Sequence, residues 1–225
     1  MKSKKGKLQG AKEAEAGVSR RDFLRGTGVA VSGSLLIGEA QALAAPADEA
    51  RGIQGPGDAP VTLSINGQAK RLELEPRVTL LDALRDRLDI TGAKKVCDRA
   101  TCGACTVLLD DRPVYACTVL AIEAQGHEVT TIEHFSEGGK VHPMMSAFVE
   151  NDAQQCGFCT PGFVMACIAF LKTHPNPALE DVEKGLGGNL CRCGTYKGIR
   201  QAVLDTAKVM TAQQDRRLNH GKLQV

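Results

Sequence analysis

VCDRATCGACTVLLDDRPVYAC, residues 96 to 117, sets four cysteines at 97, 102, 105 and 117, a C-x4-C-x2-C-x11-C spacing. The first three thiols lie so close in the chain that the loop carrying them must bend for their sulfurs to converge. Gly103 eases that bend, because a residue without Cβ reaches dihedrals that others avoid. The stretch after Cys105 alternates through TVLLDDRPVYA (residues 106 to 116) and reads as a hairpin, so the last thiol returns to the loop from a sheet.

Working outward, VTLSING (residues 61 to 67) alternates at Val61, Leu63 and Ile65, turns at Asn66-Gly67, and alternates again at Leu72 and Leu74. That pattern predicts a first β-hairpin. Thr79 and Asp82 have capping-box spacing ahead of Leu80, Leu81, Leu84 and Leu88, which predicts a helix. EVTTIE (residues 128 to 133) supplies a last strand. A small mixed sheet wrapped around one helix is the simplest assembly.

From His142 the period becomes helical. Met145, Phe148 and Val149 mark a short helix, and Phe163, Val164, Cys167, Ile168 and Leu171 a second. Leu179, Val182 and Leu186 form a third stripe that stops at Gly187-Gly188, and Ile199, Val203, Ala207 and Met210 a fourth. Turn residues at SEGGK (residues 136 to 140) divide the two halves, and the tail after Thr211 is polar and expected to fray.

The C-x4-C-x2-C…C spacing is that of plant-type [2Fe–2S] proteins, in which backbone N–H groups point at the anionic sulfurs. A structural zinc site suits the four-residue gap and distant fourth cysteine less well. In the second half QQCGFCTPG (residues 154 to 162) carries Cys156 and Cys159, and GNLCRCG (residues 188 to 194) carries Cys191 and Cys193. Pro161 and Gly162 suit a helix start, and helix N-termini favour thiolates through unpaired N–H groups. These four thiols could hold one more [2Fe–2S] centre. Cys167, ninth of the nine cysteines, falls on an apolar stripe and reads as core. Arg192 serves equally as an offset to cluster charge, a partner contact or a solvated side chain. His142 before Pro143 reads as structural, and no Ser/His/Asp or Cys/His constellation stands out.

The N-terminus carries Lys2, Lys4, Lys5, Lys7 and Lys12, then SRRDFLRG (residues 19 to 26), a short apolar run and A-x-A sites at Ala40–Ala42 and Ala42–Ala44. This is the layout of an export leader over residues 1–45, and Ser19 to Arg25 resembles the twin-arginine address of proteins exported folded. The apolar run is too short for a permanent span. Residues 46–60, rich in Ala, Gly, Pro and Asp, read as a linker. Eight of the 28 basic and four of the 26 acidic residues lie in residues 1–44, so the remainder carries 20 and 22. No basic patch then speaks for nucleic acid.

Together, C-x4-C-x2-C-x11-C, QCGFCTPG and CRC thirty-one residues after Cys159 resemble the iron–sulfur subunit of the xanthine dehydrogenase and aldehyde oxidoreductase family of molybdenum hydroxylases. With the leader, the likeness is to the small subunit of periplasmic aldehyde oxidoreductases. The resemblance implies an α+β chain: a β-grasp, ferredoxin-like [2Fe–2S] domain over 61–136, a C-terminal α-helical bundle with a second [2Fe–2S] cluster over 141–210, and a tail over 211–225. It implies that Cys97, Cys102, Cys105 and Cys117 hold the cluster on the flavin side. Cys156, Cys159, Cys191 and Cys193 hold the one nearest molybdenum, and Gln155 contacts the pterin. Substrate hydroxylation belongs, in this likeness, to a large molybdenum-cofactor subunit, with an FAD subunit or a cytochrome as acceptor. Two departures stand out. The first loop, CDRATCGAC, has fewer glycines than is usual, and Gly194-Thr195-Tyr196 replaces the usual Thr-Gly-Tyr after CRC. Different readings are an exported disulfide-stapled binding module, against which a chain with adequate apolar stripes speaks, and a stand-alone ferredoxin, against which the second quartet speaks.

Overall fold

Val61, Leu63 and Ile65 point inward from β1, Ala59–Ile65, which pairs antiparallel with β2, Gln68–Leu74. The turn residues Asn66 and Gly67 both take positive φ, 52° and 75°, as a two-residue hairpin turn requires. The structure is a computed structural model and describes residues 57–139 and 141–222, with side chains to residue 213. The expected leader and most of the expected linker lie outside the described residues.

Thr79 caps the next element by accepting the Asp82 N–H at 3.1 Å. The expected helix is brief: α1, Leu80–Asp82, runs straight into a π-helical turn, Ala83–Arg87. The Arg85 guanidinium binds the carbonyls of Thr91 and Ala93, and the Ile90 N–H binds Leu84 O, so the chain closes without another α turn. Leu80, Leu81 and Leu84 are buried beneath the sheet. β3, Thr106–Leu109, and β4, Arg112–Tyr115, form the second hairpin. β5, Glu128–Thr130, lies between β1, to which it is parallel, and β3, to which it is antiparallel; the order is β2-β1-β5-β3-β4. The last strand is shorter than expected. Past Thr130 the Glu133 carboxylate accepts from the Thr131 hydroxyl at 2.6 Å and the Gly92 N–H at 2.8 Å, and Ile132–Gly139 coils into 3₁₀ turns interrupted at Glu137 and Gly138.

Four helices follow: α2, Pro143–Glu150; α3, Thr160–Thr173; α4, Leu179–Gly185; and α5, Tyr196–Lys222. On α2 the buried face is Met144, Ala147 and Phe148, while Val149, expected inside, is 65 % exposed. Leu179 and Met210 likewise sit at the surface, each three residues from the nearest buried position, Val182 and Ala207. α5 continues as helix through the tail expected to fray.

α3 is buried from Gly162 to Leu171 on every side, because it lies between two partners. Met165 and Ala169 pack on Leu108 of the sheet, with Ile132 and Phe135. Phe163, Val164, Cys167 and Ile168 pack among Phe148, Val182, Ile199 and Val203 of the other helices. One helix thus belongs to both cores, and residues 53–225 form a single compact unit. Among the described residues no helix is long and apolar enough to cross a membrane.

His142 precedes Pro143, the first residue of α2, and its Nδ1 accepts the Met144 N–H at 3.1 Å. Burial, then the Lys172 charge, lowers its pKa below the usual 6.5. Unfolded His142 binds the proton more tightly, so this stabilisation is whole above pH 6.5 and declines as pH falls below it. Asparagine also caps helices but does not titrate there. We therefore expect His142→Asn to flatten the fall of Tm between pH 7 and 5.5, read by thermal melts of both proteins; equal slopes would contradict it.

Candidate iron–sulfur sites

The eight thiols singled out in the sequence gather into two groups, and within each they face one another two by two. In the loop before β3, the Cys97 thiol interacts with Cys102 and Cys105 with Cys117. In the helical half, Cys156 interacts with Cys193 and Cys159 with Cys191. Cys167 stands apart, fully buried in the helical core. None of the nine forms a disulfide.

The first loop is shaped by backbone that few residues adopt. Asp98 and Ala100 take φ of 56° and Gly103 of 68°. Left-handed backbone at the two non-glycine positions costs on the order of 1–3 kcal/mol each and persists only where the surroundings over-determine it. Those surroundings are visible. Lys95 bridges Asp82 at 2.7 Å and Asp98 at 3.3 Å, tying the loop's start to α1. Lys94 N–H binds Ala104 O, and Ala116 N–H binds Cys105 O, tying its end to the hairpin. The curl turns backbone donors inward: Ala100 N–H lies 3.4 Å from Cys117 Sγ, and Thr101 N–H 3.4 Å from Cys97 Sγ. Burial opposes ionisation of Cys97, but the Arg99 and Thr101 N–H groups and the Cys102 thiol outweigh it and bring its pKa down to about 7. Cys105, buried against Cys117, is pushed up to about 12.

The second group sits where helices begin. Cys159 occupies the N-cap position of α3, and Cys191 and Cys193 lie just ahead of α5. Gly157 and Gly194 turn the chain between and after the thiols at φ of 81° and 80°. Two residues whose roles the sequence pattern did not reveal finish the site. Thr195 Oγ1 is 3.2 Å from Cys191 Sγ, and Tyr196 Oη accepts the Cys191 N–H at 2.9 Å. Their order after CRC looked like a matter of packing, yet Thr195 touches the inner thiol and Tyr196 the backbone N–H of the same residue. Burial opposes ionisation of Cys191, while the Thr195 hydroxyl and the N–H groups of Thr195 and Gly194 favour it, bringing the pKa down to about 7. Its neighbour Cys159 is pushed up to about 12 by burial and by Cys191 itself. The outer thiols, Cys156 and Cys193, are exposed, and so are Gln155, Phe158 and Arg192 around them.

This arrangement fits a [2Fe–2S] group. Such a cluster takes two thiolates on each of two irons, and each quartet presents two facing pairs with N–H or O–H donors aimed at sulfur. Among the described residues no three His, Cys, Asp or Glu side chains converge as they would on one ion.

The comparisons with known proteins agree with the geometry. Residues 63–129 match a 2Fe-2S iron-sulfur cluster binding domain and residues 131–204 a [2Fe-2S] binding domain. The chain is therefore an iron–sulfur protein of α+β architecture with two [2Fe–2S]-binding modules. It is 37% identical over 205 residues, 84% of its own length and 88% of the relative's, to the aldehyde oxidoreductase iron-sulfur-binding subunit PaoA of Escherichia coli (strain K12). It is 41% identical over 145 residues, 64% of its length and 87% of the relative's, to the nicotine 6-hydroxylase small subunit of Paenarthrobacter nicotinovorans. The crystal structure of quinoline 2-oxidoreductase from Pseudomonas putida 86 superposes with a TM-score of 0.67 at 36% identity, covering 70% of this chain and 98% of that one. The chain belongs to the family of iron–sulfur subunits of xanthine dehydrogenase and aldehyde oxidoreductase type molybdenum hydroxylases. Its work is electron transfer within a multi-subunit oxidoreductase.

Cys117→Ser is expected to remove about half of the iron and the first group's EPR signal while sparing the second, since each group is complete in itself. Cys167→Ala should leave both signals and the iron content unchanged; loss of a signal there would give that thiol a role beyond packing. Were Cys191 to bind iron, its thiolate could only accept, and the Thr195 hydroxyl would donate to it and stabilise the more negative, reduced state. Thr195→Val should lower that centre's midpoint potential by on the order of 50 mV, a little under tenfold in a one-electron equilibrium, with Thr195→Ser restoring it. An unchanged potential in the valine variant would remove the tuning role.

Proposed function

We propose that this chain carries electrons out of an aldehyde-oxidising molybdenum subunit, through two [2Fe–2S] clusters, to a flavin subunit or a cytochrome. The pairwise convergence of both cysteine quartets carries the reading, and the 37% identity to an aldehyde oxidoreductase subunit over 84% of the chain supports the substrate class. In this reading Cys97, Cys102, Cys105 and Cys117 hold one cluster in a β-grasp domain over 61–136. Cys156, Cys159, Cys191 and Cys193 hold the other in a helical bundle over 141–210. When bound, each cluster stores one electron by a change of iron valence within a fixed sulfur cage. The chain's own residues keep that cage rigid, limit water, and aim N–H and O–H dipoles at the sulfurs, so that little must rearrange when charge arrives.

In this reading Gln155, exposed beside Cys156, hydrogen-bonds a pterin held by a large partner subunit. Residues 1–45 send the protein to the periplasm by the twin-arginine route, which takes folded cargo and so permits clusters to be inserted first. The exposed rim of the second group suits a partner that supplies electrons, and the half-buried Cys97 and Cys102 suit release on another side.

Anaerobic analysis of the purified complex should return about four irons and four acid-labile sulfides per copy of this chain, with two distinct EPR signals on reduction. Bound zinc without labile sulfide would overturn the reading. Arg20→Lys with Arg21→Lys should hold the cluster-loaded protein in the cytoplasm; undiminished export would separate the leader from that route.

A further inference from the structure

The segment that carries the second cysteine pair reaches back onto the first loop. Leu190 N–H donates to Cys102 O at 2.9 Å. Beside it the Asn189 carboxamide, 6% exposed, donates to Gly103 O at 2.9 Å and to Thr106 Oγ1 at 3.2 Å, across 86 and 83 residues of sequence. Thr106 Oγ1 in turn donates to Gly103 O at 2.6 Å. At the outer edge Tyr115 Oη donates to Gly188 O at 2.6 Å.

The join is too tight for side chains. A Cβ on Gly103 would lie 2.6 Å from Asn189 Nδ2, one on Gly188 would strike Tyr115 Oη, and one on Gly162 of α3 would strike Gly103 O. Backbone therefore meets backbone here, and the buried Asn189 side chain has its amide hydrogens committed to Gly103 O and the buried Thr106 hydroxyl of the opposite loop. Filling the space would need only an apolar residue. A carboxamide fixes orientation as well, because losing it strands buried acceptors.

We propose that Asn189 is a positioning residue for electron transfer between the two sites. It locks residues 188–191 onto loop 102–106 and holds Leu190 N–H on Cys102 O, a hydrogen bond that ties the residue before Cys191 to the backbone of Cys102. The inference rests on the ligand reading given under Proposed function. In the step, the centre held by the second quartet gives up one electron and the centre held by the first gains it; no atom or proton moves. Asn189 touches neither thiol, so it acts through the geometry of the join.

The test uses the purified, cluster-loaded complex and its Asn189→Leu and Asn189→Ala variants. Iron and sulfide content and the separate EPR line positions should stay as in the wild type. After pulsed reduction by a photogenerated one-electron donor, equilibration between the two centres should slow roughly tenfold, as a fixed geometry loosens. The spin–spin splitting of the fully reduced protein should narrow, and midpoint potentials should hold. An unchanged rate and splitting, with both centres present, would overturn the proposal alone. Should both Asn189 variants lose a cluster, Tyr115→Phe decides by the same readout, since it loosens the seam from its exposed edge: slower equilibration supports the proposal and an unchanged rate overturns it. A wild-type protein without two clusters would overturn the ligand reading and this inference together.

Discussion

Four thiolates cannot be gathered in one small space unless positive charge sits among them. Their mutual repulsion and their loss of hydration both oppose it, and the acidities of the facing thiols record the conflict. Where Cys159 and Cys191 face each other, one thiol is pushed up to about 12 and the other drawn down to about 7, so the pair keeps a proton between them near neutral pH. Metal must displace that proton, which couples loading to acidity and binding to order in the loops. Everything around the sulfurs answers this constraint. The curled first loop exists to turn N–H groups inward, the helix N-termini of α3 and α5 bring more of the same sign, and Thr195 adds a hydroxyl.

Holding such loops still demands a stiff foundation, and α3 supplies it. Because this helix is buried on all sides, it registers the sheet and the helical half against each other, and Gly162 lets its first turn come down on the backbone of Gly103 and Ala104. Strain in the first loop is tolerable for the same reason. The left-handed Asp98 and Ala100 would relax in a free peptide, but ion pairs and strand ends on both sides fix them. Glycines at these positions would adopt the same dihedrals with less strain and with a larger entropic loss on folding.

Period and spacing made most of this legible in the sequence. Both hairpins, the Thr79 cap and the four helical segments follow from two-residue alternation and 3.6-residue stripes. What escaped depended on tertiary neighbours. No local pattern announces that Leu84 leads into a π turn, since that follows from Arg85 reaching two carbonyls beyond the helix. Val149, Leu179 and Met210 are apolar on the expected stripes yet exposed, because no other described element packs over them. Which thiol faces which is likewise invisible in the intervals. Pairing of Cys156 with Cys193 and Cys159 with Cys191 depends on how two loops thirty-one residues apart are docked. Asn189 gave no signal either, because asparagine after glycine reads as a turn.

Burial around the eight thiols is graded, and the gradient has a direction. Cys156 and Cys193 stand at the surface beside the exposed Phe158 and Arg192, while Cys191 is buried and Cys159 half-buried. From Cys191 the nearest bonded route runs through Leu190 to Cys102, and from there to Cys97, half-exposed next to the exposed Val96. In the proposed reading, an electron entering at the outer pair passes the buried Cys191 and then the Leu190–Cys102 hydrogen bond before it reaches Cys97 near an edge again. Dry surroundings raise the cost of a stray charge and strengthen each fixed dipole that offsets it. Burial of Cys105, Cys117, Cys191 and Asn189 keeps water from the inner thiols, while the exposed Cys156 and Cys193 leave a partner access to the rim.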